Sequence, residues 1–265
     1  MPYFPQLLSG SVAQFPLARW TMTRTINGET IARERTATAD TAGRRTRWQL
    51  LLSGLTAEER NAIETLFRTC EGRLRPFVFA DPSGNLLANH LDLSSSPWQS
   101  DPQLQWVSDL PDAAGGTSAL QATNTGSIAG SCRQAIDVPG EYVCSFSVYA
   151  RSTASSSLTL SRSGGTNTDS RVYPVGQDWR RLAFSSKLPA STGPCAFAIH
   201  VPGTATVELF GAQVDAQPFP SIYRRSDAHS RLYSHAYFAQ DSLDIVADGV
   251  DSFSLQLLIE SREES

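Results

Sequence analysis

Between Trp48 and Ala80 the spacing of apolar positions changes from a short continuous run to a helical period and back again. Trp48 to Leu52 and Arg75 to Ala80 are short runs rich in aromatic and aliphatic residues, the texture of buried strands. Between them Ile63, Leu66, Phe67 and Cys70 recur at intervals of three and four, which places them on one stripe of a helix. Thr56 and Glu59 have the spacing of a capping box, so the helix should start there, and Gly72 is placed to end it. The expected unit is strand, helix, strand, with the stripe packed across a sheet.

Elsewhere the period is two. Trp20, Met22 and Arg24 alternate with threonines over 18–26, and Asn27-Gly28 suits a two-residue turn, predicting a hairpin of 18–26 with 29–35. The following polar stretch, with Arg33, Arg35, Arg44, Arg45 and Arg47, reads as a long exposed loop. Residues 3 to 17, with Pro2, Pro5 and Pro16 close by, read as an extended arm or an irregular edge strand. Past the turn signal Asp81-Pro82-Ser83-Gly84 the chain becomes rich in Ser, Thr, Gly and Ala, and short strands are expected at 142–150, 157–161, 179–185, 195–201 and 206–214. From Arg231 the first texture returns, ending in a hairpin whose turn is Asp248-Gly249 and whose second strand runs through Phe253, Leu255, Leu257 and Ile259 to a charged tail.

A lone hairpin is marginal in water, so the two ends of the chain are expected to complete one domain. That gives a mainly β fold: a split β-barrel with one α-helix from residues 1–84 and 222–265, interrupted by a β-sandwich of jelly-roll type over 85–221.

Two stretches carry resemblances. The sequence from the aromatic strand through SGLTAEE and the helix to GRLRPFVFADP resembles the minor tail and distal tail proteins of long-tailed bacteriophages and tail-like particles. That likeness implies a structural protein without enzymatic chemistry, a homo-oligomeric ring of six by analogy, joining a tail tube protein to a tail-tip hub protein in the virion after assembly in the bacterial cytoplasm. The Pro-rich arm and the Arg-rich segment 33–47 would be its ring contacts. The segments NLLANHLDLSSSPW, GEYVCSFSVYAR and LFGAQVDAQPFPSIYRRSD resemble the carbohydrate-binding-type jelly rolls embedded in phage tail proteins, which implies a fold more than a ligand.

Composition narrows the chemistry. The net charge of -4 recruits no obvious polyanion, and no aromatic is interleaved in the arginine cluster to stack on bases, so nucleic acid is not an expected partner. Lys187 is the only lysine among 22 basic residues, and arginine favours planar, bidentate contacts of the kind found at protein interfaces. The start lacks the pattern of a secretory signal and no apolar run reaches the ~20 residues that span a bilayer, so a soluble chain without membrane insertion is expected. Cys70, Cys132, Cys144 and Cys195 form no C-x-x-C pair, and His90, His200, His229 and His235 are scattered, so four buried thiols and no metal site are expected.

No nucleophile elbow, dinucleotide or phosphate loop occurs, and no cofactor or catalytic residue is assigned. Glu141 and Glu208, the glutamates of the inserted block, are the one carboxylate pair a glycosidase could use. For glycan binding the aromatics are Trp98, Trp106, Tyr149, Tyr173 and Trp179, of which Trp106 and Tyr173, flanked by polar turns, are the candidate site. Trp179, followed by Leu182 and Phe184, is read as core. Two functions remain open: a tail-tip ring component whose jelly roll aids adhesion to host-surface glycans, or a free carbohydrate-binding protein.

Overall fold

A computed structural model describes residues 1–31, 33–190, 193–225 and 229–262, with only the backbone described at 41 and 42. The last three residues of the charged tail, and Ser226 and Asp227 of the second resemblance, lie outside them. The chain divides into two compact units, one of residues 1–8, 12–79 and 233–265, the other of 9–11 and 80–232.

In the first unit the sheet order is β1 (Ala18–Glu29), β2 (Arg35–Leu55), β16 (Ser252–Arg262), β14 (Leu232–Phe238), β3 (Phe77–Ala80), with β15 (Ile245–Gly249) also pairing β16. The strands between, β4 to β13, belong to the second unit and are placed below. Leu50 lies opposite Leu257 and Trp48 opposite Ile259 in the β2–β16 ladder, so the residues from the two chain ends share one buried row. Trp48 sits edge-on to Phe79 at 5.1 Å, and Phe238 meets Phe77 at 4.7 Å. The helix α1 (Ala57–Thr69) lies on this row through Ile63 and Leu66, with half-buried Phe67 at 5.0 Å from Phe238.

The capping box is formed as expected: the Glu59 amide donates to Thr56 Oγ1 at 3.2 Å and the Thr56 amide to Glu59 Oε2 at 2.8 Å. Asp251 Oδ1 accepts from the Ala57 amide at 2.6 Å, where the helix dipole favours a carboxylate. Gly72, at φ +62°, returns its amide to the Phe67 carbonyl at 3.1 Å just past the last turn.

Three expectations are corrected. The sheet is not closed into a barrel. Its margins are β1 and β3, and the outer edge of β3 is taken by the N-terminal residues, with Phe4 donating to the Val78 carbonyl and Val78 to that of Pro2, both at 2.9 Å. Of the two readings of those N-terminal residues the irregular edge strand holds at residues 2–4 and the arm reserved for a neighbour does not: Phe4 is fully buried against Phe77 and Phe79, and Leu7, Val12 and Ala13 are buried too. The arginine-rich segment is strand, not loop. Asn27 and Gly28 pair with Ala37 and Thr36 inside the ladder, and the turn lies at Thr30–Glu34, where Arg33 adopts φ 62° and donates to the Thr30 carbonyl at 2.8 Å. Thr36, Thr38 and Thr46 continue the ladder because β-branched residues suit a pleated ribbon even when it is polar. Beyond Asp40, which is half-buried opposite Arg24, the described residues of this ribbon are exposed on both of its faces.

The second unit is a sandwich of two five-stranded antiparallel sheets. One has the order β10 (Asn167–Val175), β9 (Ser156–Gly164), β12 (Cys195–Val201), β7 (Gly130–Ile136), β4 (Gln99–Ser100). The other runs β11 (Arg180–Ser186), β8 (Cys144–Arg151), β13 (Thr206–Asp215), β6 (Ala119–Asn124), β5 (Leu104–Leu110). Strict alternation builds the interior: Gly130, Cys132, Gln134 and Ile136 of β7 are buried while Ser131, Arg133 and Ala135 are not. Phe146 of one sheet meets Phe197 of the other at 5.6 Å.

A guanidinium is buried in the interior. Arg162 on β9 is fully buried and donates to the carbonyls of Tyr142 (2.7 Å), Ser186 (2.8 Å), Pro139 (2.9 Å) and Gly140 (3.1 Å), with Phe197 below it at 5.5 Å. No carboxylate among the described residues forms an ion pair with it. All four cysteines are buried and free; burial pushes the Cys144 thiol up to about 12, with Arg162 pulling the other way. Among the described residues no helix is long and apolar enough to cross a membrane.

Candidate functional site

The structure places Trp106 and Tyr173 at opposite margins of the sandwich and brings neither to the other. Trp106 is on the marginal strand β5 opposite buried Ala122, in the same row as buried Leu104, so its indole leans inward and its Nε1 is buried. Tyr173 is on β10 opposite fully buried Leu158, and its hydroxyl donates to the Ala183 carbonyl of β11 at 2.5 Å, clasping the two sheets. Partial burial raises the Tyr173 phenol, with Arg171 acting against it. Trp98 is buried, with Nε1 donating to the carbonyls of Ala88 and Asn89 at 3.2 and 3.1 Å.

The chemistry gathers instead on the outer face of the sheet β11-β8-β13-β6-β5. Arg181, Tyr149 and Phe210 lie side by side across three strands, and Ser147 and Gln213 do the same one step along. Between Phe210 and Gln213 the register shifts at Gly211, φ +64°. Tyr223 rests on that glycine, so closely that a Cβ there would stand 2.6 Å from its ring. The Tyr223 ring lies 5.1 Å from Phe210 and 6.1 Å from Tyr149, its hydroxyl meets His90 Nε2 at 2.7 Å, and burial raises its phenol strongly.

Residues 218–225 are thus strapped along the face. Arg181 donates to the Ser221 carbonyl at 2.6 Å, Asp215 accepts from the Ser221 hydroxyl at 2.8 Å, and Gln213 accepts from the Arg224 amide at 2.8 Å. The chain itself supplies partners for Arg181, Asp215 and Gln213 there, while Arg181 Nε is left without one. Beyond the strap the face carries Arg151 and Glu208, paired at 2.6 Å, with the Arg151 guanidinium 4.8 Å over half-exposed Trp179. This margin offers a flat apolar ring beside a donor fork and an acceptor, the group types that hold a sugar.

Trp179 is therefore not core, and its parity could have shown this. Leu182 and Phe184 are the inward residues of β11, and an odd-numbered neighbour belongs to the opposite face. The strap carries no such signal, because nothing in FPSIYRRSD marks it as packing on a sheet. Glu141 and Glu208 stand at opposite ends of the eight-residue β8, about 25 Å apart along it, so they form no catalytic carboxylate pair. His200 meets Ser161 at 2.7 Å and His235 meets Ser234 at 3.0 Å, and among the described residues no group of three potential metal ligands gathers.

No protein-family model and no curated protein matches the chain. Solved structures overlap it in part. TmCBM61, solved in complex with β-1,4-galactotriose, aligns over 51% of this chain and 100% of its own at 18% identity and a TM-score of 0.42. The C-terminal family 22 carbohydrate-binding module of Clostridium thermocellum Xyn10B aligns over 52% and 97% at 16% identity and 0.43. The enzymatically active domain of bacteriophage CBA120 tailspike protein 4 aligns over 52% of this chain and 22% of that one at 12% identity and 0.38. The sandwich assignment rests on the strand pairing described above.

Proposed function

We propose that the chain is a structural component of a phage or phage-like tail tip, a distal tail ring protein whose jelly-roll unit aids adhesion to host-surface glycans. The β1–β2 ribbon carries this reading. A two-stranded ribbon exposed on both faces is marginal in water, and it becomes a stable element when a neighbour covers it. A free lectin has no need of it. The likeness of residues 48–81 to distal tail proteins supports the same reading, as does a unit built from both ends of the chain with a sandwich between them.

Light scattering or mass photometry of the full chain at micromolar concentration tests the reading, with a closed multimer, six copies by the family's example, as the expected result. A strict monomer that is nevertheless retained by surface polysaccharide would establish the free carbohydrate-binding reading instead.

For the glycan the margin at Trp179 is the better candidate than Trp106 or Tyr173. In titrations with cell-wall and surface polysaccharides, Trp179→Ala should weaken binding tenfold or more with an unchanged melting temperature. Tyr173→Ala should instead lower stability by about 1–3 kcal/mol, since it removes a half-buried clasp between the sheets. Loss of binding in Trp106→Ala alone would move the site to the β5 margin.

A further inference from the structure

Trp179 is one end of a row that crosses the whole outer face of its sheet. Val107 of β5 lies opposite Gln121 of β6, Gln121 opposite Glu208 of β13, and Glu208 opposite Arg151 of β8. Trp179, just before the first residue of β11, completes the row beneath the Arg151 guanidinium. Leu120 and Ala122, Val207 and Leu209, and Ala150 flank the middle three along their strands and are buried, so alternation turns the row outward. Four strand spacings make it about 19 Å long. One side is walled, because Phe210 and Tyr149 stand two residues along from Glu208 and Arg151 and carry Tyr223 of the strap against them. Along the other side Thr123 and Thr206 face each other with their hydroxyls 3.2 Å apart.

The ledge is apolar at its ends and polar between them. Val107 is 52% exposed and Trp179 half-exposed. The Gln121 amide has no partner among the described residues, and both Arg151 contacts fall on Glu208 Oε2, at 2.7 Å from Nε and 2.6 Å from Nη2, which leaves Oε1 to accept. The charges cancel. Arg151 is held by Glu208, Arg181 is turned under the strap to Ser221 and Ser147, and Asp178 and Arg180 on either side of Trp179 are one of each sign. A carboxylate or phosphate on the ledge would meet Glu208 with no uncommitted guanidinium in the row to answer it. Both ends lie on the marginal strands of the sheet, so no further strand closes either of them.

We infer that the row from Trp179 to Val107 holds several consecutive units of an uncharged polysaccharide that runs across the strands and continues past both margins. The Trp179 ring takes the flat face of one sugar, while the Gln121 amide and Glu208 Oε1 serve hydroxyls of the units that follow. Gln121 is thereby a binding residue although three strand spacings, about 14 Å, separate it from Trp179. This rests on the sugar reading of the Trp179 margin, which by itself fixes neither the length nor the charge of what is bound.

The test uses the full chain in affinity gels, each holding one polysaccharide: hydroxyethyl cellulose, mannan and dextran as uncharged probes, alginate and polygalacturonate as acidic ones. Oligosaccharides of two and six units, cut from whichever polymer retains the chain, are then titrated by calorimetry, with folding of each variant checked by circular dichroism. Retention should be confined to uncharged gels, and the six-unit sugar should bind at least about tenfold more tightly than the two-unit one. Trp179→Ala should weaken both lengths. Gln121→Ala should weaken the six-unit sugar about threefold or more and leave the two-unit sugar unchanged, an effect that a merely structural role would not divide by length. Retention by an acidic gel that is lost in Trp179→Ala overturns the uncharged ledge and keeps the Trp179 site. Equal affinity for two and six units, or indifference of the longer sugar to Gln121→Ala, does the same for the extended ledge. If no gel retains the chain, or Trp179→Ala changes nothing, the Trp179 site falls and the ledge with it.

Discussion

Replacing Arg162 by methionine should cost the sandwich about 3–5 kcal/mol, a large part of the ~5–15 kcal/mol that holds a domain together. Methionine fills much of the space but donates nothing. Buried ion pairs can often be exchanged for apolar groups without loss, because both charges leave together. Here the partners are backbone carbonyls, which remain. Those of Pro139 and Gly140 keep a second donor, from the amides of Tyr142 (3.2 Å) and Leu188 (2.9 Å), so the damage at these two is smaller. Arg162→Lys should fall between, since one ammonium cannot span carbonyls on both sides of the fork. Urea unfolding followed by tryptophan fluorescence measures the change, and a midpoint for Arg162→Met equal to that of the unaltered protein would show that the guanidinium is incidental.

Leu66→Asp should unfold the first unit. The side chain is 5% exposed on the buried side of α1, and an unpaired carboxylate there costs several kcal/mol. Phe67→Asp should be milder, because Phe67 is only half-buried against Phe238. Arg68→Asp replaces an exposed ion-pair partner of Glu64 with a like charge four residues away, a matter of a few tenths of a kcal/mol. Melting curves for the three should therefore rank in that order. Equal, small shifts in all three would mean that the helix does not pack through its Leu66 side.

The helix was legible because three independent signals agree at one place: the apolar period, the Thr56–Glu59 box and Gly72. The strands β8, β9, β11, β12 and β13 were legible for the same reason, alternation bounded by turn residues, and the run 195–201 matches β12 at both ends, whereas β4, β5, β6, β7 and β10, with more polar or small residues, were not singled out. Exposure of the arginine-rich segment could be read from its polarity, but its pairing could not. A solvent-exposed ladder has no apolar row, so period two leaves no trace, and the Asn27-Gly28 signal was overridden by register. Closure of the sheet was likewise beyond reach, since it depends on residues 2–4 taking the edge of β3. For the site, the sequence offered aromatics without their direction. Only the parity of Trp179 against Leu182 and Phe184 held usable information, whereas Tyr223 gained its place from Gly211 and a bulge 12 residues earlier in the chain.

The position of β16 between β2 and β14 also sets a timetable. It is made after all its neighbours, and the stretch from Ala80 to Leu232 separates the first half of its sheet from the second. At about 5–20 residues per second, a nascent chain waits on the order of ten seconds with the ladder edge of β2 unfilled, while the sandwich strands already have every partner they need. Until β16 has emerged, a nascent chain therefore carries β2 with an unpaired ladder edge, the kind of edge on which a strand of another chain can pair.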